Sequence, residues 1–563
     1  MKKNTQRHNF AIASVGVVSL ALIFFTTPVL AESLFGEVSS QKEGSMEGVL
    51  VSAKKQGGTI SVTVVSNAEG QYNFPSDRLS AGTYDITIRA ARYNLPDTTV
   101  NINTGDTARL DINLNEVTSK FELARQLSNT EWMLSAGEEG IRLGRCVNCH
   151  TLERVMFTRY NAREMARVVQ RMAYHTNNSS PEHPWSDTDV AEQMAKPPSA
   201  AHVEVGKFIA SINLSERDVW PFELKTLPRP TGVDTQAIYT TYDLARPDAA
   251  PHDEALDAEG NIWYSDFNTP YIGMLNTKTG EVKDYQVPLR RANGVAQGGL
   301  QIDIDPEGKV WYSTMEQIQI VRFDPETEKM DIFELPVAEE DAADAHTTMI
   351  DPTRMDVDGN VWFNVAGGGE KGGEGAWQLH VASGKFTRVR YPEGSPSAQA
   401  YDNLADSGNN LWGHSPGRPN IWRTDAKTLE TEWYPVPDNR RGCRRGHMDS
   451  QDRIWCADFN GNGLIMFNTR TRKYEGNWDA PIPHTRPYDA HYDEKGYNWS
   501  GGMDSDLILR LNVETGKMNQ FLLPYRTNIR NVYMQKGAAD ELSSLWVGNQ
   551  HGATITRIEP LAP

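Results

Sequence analysis

Seven copies of one short pattern run through the second half of the chain. Each copy has a polar turn followed by a strand that carries a tryptophan, as in DAEGNIWYSD, DPEGKVWYST and DVDGNVWFNV. The spacings between successive tryptophans are 48, 51, 50, 43, 44 and 47 residues. Alternating apolar and polar stretches after most of them, such as YIGMLN and DYQVP, complete about four strands per unit. The pattern predicts a seven-bladed β-propeller over residues 235–563.

The two ends of the repeat indicate how the ring closes. The last unit stops after its third strand, ATITRIEPL, and an unpaired strand, AIYTTYDL, precedes the first unit. Pairing of these segments would complete the seventh blade and remove a free edge. A β-solenoid or two sandwiches would also be repetitive, but Asp-Gly hairpins at this period favour blades.

The residues before the repeat fall into two regions of different periodicity. Residues 32–115 contain short alternating runs, such as ISVTVVS and YDITIRA, which are typical of a small β-sandwich. Residues 118–230 have helical spacing, with Met165, Val168, Val169 and Met172 at i, i+3, i+4 and i+7. The fold class predicted is therefore multi-domain and mainly β: a sandwich, an all-α domain and a propeller.

The first 31 residues have the composition of a secretory signal peptide. Lys2, Lys3 and Arg7 precede a short apolar run, and Val29 to Ala31 forms a small-residue cleavage site. We therefore expect a periplasmic or secreted protein, with no transmembrane span in the mature chain. The alternative is an uncleaved membrane anchor, but the apolar run is short for a span. The net charge of -18 argues against nucleic acid as a partner.

A CVNCH motif, Cys146 to His150, lies within the helical region. A zinc site needs a second pair of ligands, and a thioredoxin-type redox pair needs a βαβ context. Two thiols followed at once by a histidine match covalent c-type haem attachment, which takes place outside the cytosol. The remaining cysteines, Cys443 and Cys456, flank a predicted hairpin, and either a disulfide or two buried thiols is compatible with that position.

The motif and its helical surroundings resemble the class I cytochrome c family. The resemblance implies one covalent haem c, with thioethers from Cys146 and Cys149 and an axial nitrogen from His150. EMARVVQRM resembles a helix of some haem domains in which the last methionine approaches the iron, so Met172 is the preferred sixth ligand. The alternatives are Met194 and His175 first, and then the other downstream candidates Met156, Met165, His183 and His202.

Histidines also recur near the start of the first strand of several propeller units. Because the first strands line the central channel, these side chains are expected to meet at one mouth. They are His252, His346, His447 and His491, with Asp253, Asp266, Asp344, Asp458, Asp489 and Asp504 nearby in the repeat frame. Histidine is a proton acceptor near neutral pH and a common metal ligand. We select His252, Asp266, His447 and His491 as candidate catalytic residues, with a divalent metal as a possible second cofactor.

Two further resemblances concern the β regions. EGQYNFP and SAGTYDITIRA resemble the carboxypeptidase regulatory-like domain, which implies a transthyretin-like accessory sandwich. The repeated tryptophan phrases resemble the streptogramin B lyase (virginiamycin B lyase) family of propellers. That family uses a histidine and a glutamate fourteen residues later; His252 and Asp266 have this spacing, whereas Gly461 and Ser505 follow His447 and His491.

Together these features predict a periplasmic c-type haem protein that transfers electrons. We expect an oxidoreductase whose propeller mouth binds a small organic substrate and whose haem serves a soluble or membrane-bound redox partner. The alternatives are a streptogramin lyase-like eliminase with an accessory haem and a non-catalytic binding or electron-relay scaffold.

Overall fold

A computed structural model describes residues 1, 33–186, 188–291, 295–342, 345–352, 359–389, 401–538 and 541–561. The predicted signal peptide lies outside the described residues, apart from Met1. Within the described residues, no helix is both long enough and apolar enough to cross a membrane.

The N-terminal region is a β-sandwich, as predicted. Its first sheet pairs β1 with β2, β5, β9 and β10, and its second contains β4, β3, β6 and β8 in that order. Apolar side chains such as Val38, Val51 and Ile86 are buried together in its core. Its strands are Ser33–Ser40 (β1), Gly44–Ser45 (β2), Leu50–Lys55 (β3), Ile60–Val65 (β4), Gln71–Asn73 (β5), Gly82–Arg89 (β6), Tyr93–Asn94 (β7), Thr98–Ile102 (β8), Thr107–Arg109 (β9) and Ile112–Glu116 (β10).

Short helices follow the sandwich. The described α-helices are Lys120–Gln126 (α1), Asn129–Ser135 (α2), Glu153–Met156 (α3), Ala162–Met172 (α4), Val190–Ala195 (α5) and Ala200–Ile212 (α6). The 3₁₀-helices are Glu138–Asn148, Gly232–Thr235, Met315–Gln317 and Glu339–Asp341.

The prediction of an all-α class I cytochrome c domain over residues 118–230 is wrong. The longest described helix has 13 residues, and the CVNCH motif begins in the last turn of the 3₁₀-helix Glu138–Asn148. The apolar core of the segment also includes the propeller residues Phe459, Tyr488 and Met503. A segment that shares its core with another unit is not an independently packed domain. The chain is mainly β, and residues 118–230 form a covering layer on the propeller, which we call the cap.

Seven four-stranded blades make up the propeller, as predicted. The first strands of neighbouring blades contact one another around the centre. Blades 1 to 3 are Pro251–Leu256, Asn261–Asp266, Tyr271–Asn276 and Val282–Gln286 (β12–β15); Ile302–Ile304, Val310–Ser313, Gln319–Asp324 and Lys329–Glu334 (β16–β19); and His346–Asp351, Asn360–Ala366, Gly375–His380 and Lys385–Arg388 (β20–β23).

Blades 4 to 6 continue the same order. They are Asp402–Ala405, Leu411–His414, Asn420–Thr424 and Thr431–Pro435 (β24–β27); Gly446–Met448, Arg453–Asp458, Gly463–Asn468 and Lys473–Asp479 (β28–β31); and His491–Tyr492, Tyr497–Gly502, Leu507–Asn512 and Met518–Leu522 (β32–β35).

The seventh blade closes the ring in the way that the unpaired strands predicted. It consists of Tyr533–Gln535 (β36), Ser544–Asn549 (β37), Thr554–Pro560 (β38) and Ala237–Asp243 (β11). β11 pairs with β38 over seven residues, and its other edge pairs with β4 of the sandwich. The sandwich therefore extends the sheet of blade 7, which the sequence pattern did not indicate.

A repeated aspartate explains why the tryptophan phrase recurs. In five blades, the aspartate six residues before the tryptophan accepts a hydrogen bond from the indole nitrogen at 2.8–3.1 Å. Its other oxygen accepts the backbone N–H four residues ahead, as in Asp257 with Asn261 at 2.8 Å. The same side chain thus stabilises the hairpin turn and satisfies a buried indole.

Cys443 and Cys456 form a disulfide, with their Cα atoms 5.7 Å apart. The bridge joins the segment that leads into β28 to the second strand of the same blade. It resolves the choice that the sequence left open.

Candidate functional site

Three side chains from blades 5 and 6 converge at the centre of the propeller. His447 on β28 and His491 on β32 both approach Asp489, which lies two residues before His491. The distances are 3.0 Å from His447 Nε2 to Asp489 Oδ1 and 3.2 Å from His491 Nε2 to Asp489 Oδ2. The donor atoms of the three residues lie within 4.8 Å of one another, and no other such group of three occurs among the described residues. We call these residues the mouth cluster.

Charges are distributed unevenly in the mouth cluster. Burial favours a raised pKa for Asp489, but His447, His491 and Arg445 hold that pKa well below its usual range. Burial and the neighbouring His447 lower the pKa of His491 to about 4. The cluster at neutral pH therefore contains a carboxylate and at least one neutral imidazole, His491. Both are in the protonation state that a metal ion requires.

Two imidazoles and one carboxylate are a donor set used by catalytic metal sites that retain open positions. The side chain of His447 is 34% exposed, so the mouth cluster remains accessible from solvent. The sequence analysis selected His447 and His491 but treated Asp489 as one of several nearby acids. The spacing of two residues between Asp489 and His491, at the start of a predicted first strand, was the signal that could have selected it.

His252 belongs to a separate buried network. Its Nδ1 lies 2.6 Å from Asp253 Oδ1, and its ring packs against Phe267 with a centroid distance of 4.6 Å. Asp253 also accepts a hydrogen bond from Arg445 at 2.7 Å. Burial lowers the pKa of His252 to about 4, so the imidazole is neutral at pH 7.

Asp266 is engaged in the loop of its own blade. Its carboxylate accepts hydrogen bonds from Arg246 at 2.5 Å and from the Thr269 hydroxyl at 2.7 Å, as well as from two backbone N–H groups. The structure thus brings His447 and His491 together and gives His252 and Asp266 other polar partners.

The CVNCH motif is held against the propeller by hydrogen bonds to its backbone. Arg530, which precedes β36, donates to the carbonyl of Asn148 at 2.8 Å, and Gln550 donates to the same carbonyl at 3.4 Å. Arg486 donates to the carbonyl of Gly144 at 2.9 Å. A Cβ atom at Gly144 would lie 2.8 Å from the Arg486 guanidinium, so the glycine permits this close approach.

The side chains of the motif are suited to a covalent prosthetic group. Cys146 and Cys149 are free, partly buried thiols. Burial and the neighbouring Cys149 raise the pKa of Cys146 to about 11, which keeps that thiol protonated. His150 Nδ1 donates to the carbonyl of Thr151 at 3.0 Å, leaving Nε2 as the nitrogen with a free lone pair.

A cavity of about 170 Å³ lies where the motif meets blades 1 and 7. Cys149 and His150 line its cap side, and the turn between β37 and β38 lines the propeller side, including Gln550 and His551. Arg154, Glu182 and Asp248 also contribute to the wall.

An aromatic and cationic layer lies between the motif and the mouth cluster. Arg530 stacks over Tyr488 with its guanidinium 5.6 Å from the ring centre, and Tyr488 directly precedes Asp489 of the mouth cluster. The hydroxyls of Tyr488 and Tyr401 are 2.5 Å apart, and Arg444 donates to Tyr488 at 2.9 Å. A short sequence of contacts, Asn148 to Arg530 to Tyr488, therefore connects the motif with the residue next to Asp489.

The methionines considered as sixth ligands lie in varied surroundings. Met172 is 39% exposed at the end of α4, and it is not among the residues that line the cavity. Met156 and Met165 are buried in the apolar core shared by cap and propeller. Met194 is partly buried, and its carbonyl accepts a hydrogen bond from Arg167.

The histidines considered for the same role have other contacts. His175 and His183 have polar contacts with Trp185 and Asp248, and His202 lies in the N-terminal capping box of α6.

Comparison with known families supports the N-terminal assignment. The model for the carboxypeptidase regulatory-like domain matches residues 33–115. Comparison of the sequence with curated proteins gives no significant match.

Several solved propellers are similar to this chain. They include a streptogramin B lyase structure (17% identity, TM-score 0.49, covering 58% of this chain and 99% of that chain) and virginiamycin B lyase from Staphylococcus aureus (16%, 0.47, 57% and 99%). The extracellular domain of a hybrid two-component system from B. thetaiotaomicron is also similar (16%, 0.41, 56% and 40%). The propeller assignment itself rests on the strand pairing described above.

Proposed function

We propose that the protein is an exported oxidoreductase in which a covalent haem c on the cap exchanges electrons with a substrate site at the propeller mouth. The observation that carries this proposal is the docking of the CVNCH backbone on Arg530, whose guanidinium stacks on Tyr488 beside the mouth cluster. These contacts support the proposal because they connect the proposed attachment motif with the residue that precedes Asp489 of the mouth cluster.

The residues of the motif fit the proposed group. Cys146 and Cys149 would provide the two thioethers, and His150 would provide an imidazole nitrogen to the iron. The hydrogen bond from His150 Nδ1 to Thr151 fixes the tautomer that such a ligand needs. Bound haem supplies reversible one-electron transfer.

The mouth cluster is the proposed substrate site. Its two imidazoles and carboxylate would bind a divalent metal, and the partly exposed His447 faces accessible space. Oxidation of a small organic alcohol or phenol releases two electrons and two protons. The protons would pass to solvent at the accessible side of the mouth cluster, and the electrons leave one at a time to an external carrier protein.

The protein chain itself contributes three further functions. Arg530 and Gln550 position the motif, the apolar core shared by cap and propeller packs against Cys146, and Tyr488 contacts Arg530 on the side of the mouth cluster. Aromatic side chains and hydrogen-bonded backbone provide close contacts from Asn148 of the motif, through Arg530, to Tyr488. Arg530 is therefore a positioning residue in this account.

The test uses the mature, full-length protein from a host that matures c-type haem. We expect a pyridine haemochrome spectrum with two saturated vinyl positions, bound divalent metal by elemental analysis, and haem reduction on addition of a substrate from an alcohol and phenol panel. Asp489→Asn should lose substrate-driven reduction, whereas dithionite should still reduce its haem.

Two outcomes would contradict the proposal. Absence of haem from correctly exported protein would remove the redox group. Substrate turnover at full rate without any electron acceptor would instead indicate an elimination reaction.

A further inference from the structure

Three guanidinium groups meet in the aromatic and cationic layer between the motif and the mouth cluster. The guanidinium carbon of Arg444 lies 4.1 Å from the ring centre of Tyr488 and 4.4 Å from that of Phe459. Arg486 lies 3.9 Å from the same Phe459 ring, and Arg530 lies 5.6 Å from the Tyr488 ring. The three cations therefore share two aromatic rings.

Carboxylates do not balance these cations. Arg486 pairs with the buried Asp504 at 2.8 Å. Arg444 and Arg530 donate instead to uncharged oxygens at 2.6–2.9 Å, and neither has a carboxylate partner among the described residues. The layer thus holds an excess of positive charge in a chain whose net charge is -18. A charge that is removed from water without a counter-ion is costly, so this layer is expected to bind an anion.

The arginines also repel one another, and this repulsion affects the pKa of Arg486. Burial lowers that pKa, Asp504 opposes the effect, and the charges of Arg444 and Arg530 add to it. An anion beside Arg444 would relieve the repulsion. Arg486 and Arg530 already hold carbonyl groups of the cap, so Arg444 is the arginine best placed to receive a ligand.

The repeat places Arg444 near the mouth cluster. Arg444 lies eleven residues before the tryptophan of its blade and three residues before His447. Three residues of chain span at most about 11 Å. Arg444 is partly exposed, unlike Arg530, and the side chain of His447 is 34% exposed. One small molecule can therefore contact both Arg444 and the mouth cluster.

We propose that the substrate of the mouth cluster is a small hydroxy acid whose carboxylate binds Arg444. This inference rests on the proposed function and narrows its substrate class. A guanidinium has five N–H donors, and Tyr488 accepts one of those of Arg444. Two parallel donors of an arginine match the two oxygens of a carboxylate. The substrate hydroxyl would then lie at the mouth cluster, beside the partly exposed ring of Tyr401.

The experiment compares two probes that differ in charge. Para-hydroxybenzoate and its methyl ester share the ring and the hydroxyl, but only the acid carries a carboxylate at neutral pH. Isothermal titration of the mature holoprotein should give about tenfold or more tighter binding of the acid, as expected for a charge-assisted hydrogen bond. Arg444→Gln should bind the acid and the ester equally.

Two further variants keep the test specific. Arg444→Lys retains the charge but lacks the planar fork, so it should retain part of the preference for the acid. It also provides the comparison if Arg444→Gln does not fold. Arg441→Gln is the matched control, because Arg441 is an exposed arginine of the same segment. This control should retain the full preference.

Three binding results would overturn the inference: equal affinity for acid and ester in the wild type, no binding of the acid, or a preference that persists in Arg444→Gln. A carboxylate of the haem itself has the same chemistry as the proposed ligand. If it occupied Arg444, then Arg444→Gln would shift the midpoint potential of the haem and leave both probe affinities unchanged, which would also overturn the inference.

The failure of this inference is distinguishable from the failure of the proposed function. Haem reduction by uncharged alcohols as fast as by hydroxy acids would overturn the substrate class alone. Colourless protein would contradict the proposed function, and the affinities of the two probes could still be compared.

Discussion

The sandwich and the cap are both joined to the propeller, but in different ways. The sandwich joins through strand pairing between β4 and the outer edge strand β11, and through ion pairs such as Arg78 with Glu559. The cap joins through the loops at the propeller mouth, where Arg486 and Arg530 bind its backbone. Residues 33–115 contain no histidine or cysteine, whereas the cap carries the CVNCH motif.

This difference indicates that the sandwich has a structural role, whereas the cap contributes residues to the proposed functional sites. An edge-to-edge sheet connection fixes the position of the sandwich and protects a strand edge, without reaching the central channel. The contacts of the cap, in contrast, involve the loops that position the mouth cluster and line the cavity. We therefore expect substitutions in the cap to alter cofactor and electron transfer, and substitutions in the sandwich to alter stability.

The largest effect is expected from the motif cysteines. The double variant Cys146→Ala/Cys149→Ala should lose all covalent haem because no thiol remains to bind it there. Haem staining after denaturing electrophoresis measures this loss, and far-ultraviolet circular dichroism should retain the β-sheet signal. Covalent haem that persists in the double variant would contradict the assignment of the motif.

Substitution in the mouth cluster should mainly affect metal binding. His491→Ala removes one of three converging donors. Loss of a residue that only hydrogen-bonds to a metal ligand lowers metal affinity by about 10- to 100-fold, so loss of a ligand itself should have a larger effect. Isothermal titration with Zn²⁺ measures the change.

Asp266→Asn is the control for this variant, because Asp266 is engaged with Arg246 and Thr269 in the loop of blade 1. It should retain zinc affinity. Equal weakening in both variants would argue against a site at the mouth cluster.

Loss of a contact between the sandwich and the propeller should lower the stability of the fold and leave the haem spectrum unchanged. Arg89 contacts the buried Asp506 at 2.6 Å and also the carbonyls of Leu523 and Tyr525. Arg89→Ala leaves a buried charge unpaired, which should cost about 3–5 kcal/mol in the free energy of unfolding. Chemical denaturation, monitored by tryptophan fluorescence, measures this change in the free energy of unfolding.

Lys54→Met removes an exposed ion pair with Asp243 and provides the matched control. This substitution should lower the free energy of unfolding by less than about 1 kcal/mol. A change in the haem spectrum of Arg89→Ala would show that the sandwich also influences the cap.

A smaller effect on the free energy of unfolding is expected from pH. The contributions of two neighbouring residues, His414 and Asp402, have opposite signs. Burial lowers the pKa of His414 to about 3, so the unfolded chain binds more protons and stability falls as pH decreases below about 6.5. Burial raises the pKa of Asp402 to about 7, so that residue adds stability as pH falls from about 7 to 4.

Single substitutions should separate the two contributions. His414→Gln should reduce the loss of stability between pH 8 and pH 5 by about 2 kcal/mol, and Asp402→Asn should increase it. Thermal unfolding across this pH range measures both. Parallel shifts of the two variants would contradict the assigned charge states.

Local patterns were sufficient to predict the propeller, its closure and the sandwich. The aspartate–tryptophan phrase is a nearly complete description of one hairpin, and the unpaired strand AIYTTYDL is recognisable because the last unit lacks a partner for it. His447 and His491 could be placed together because both occupy equivalent positions in neighbouring units.

Long-range packing could not be predicted in the same way. The helical stripe of Met165 and Met172 is compatible with an independent domain, and nothing in it reveals that the core is completed by Phe459 and Tyr488. The approach of His551 to His150 depends on the docking of the cap, which has no periodicity in sequence.

The central claim is that the cap carries one covalent haem at the mouth of the propeller. The most direct measurement is the pyridine haemochrome of purified, correctly exported protein, quantified against the chain concentration. We expect one haem per chain, with the spectrum of two thioether links. A colourless protein, or haem removed by acid acetone extraction, would contradict the account.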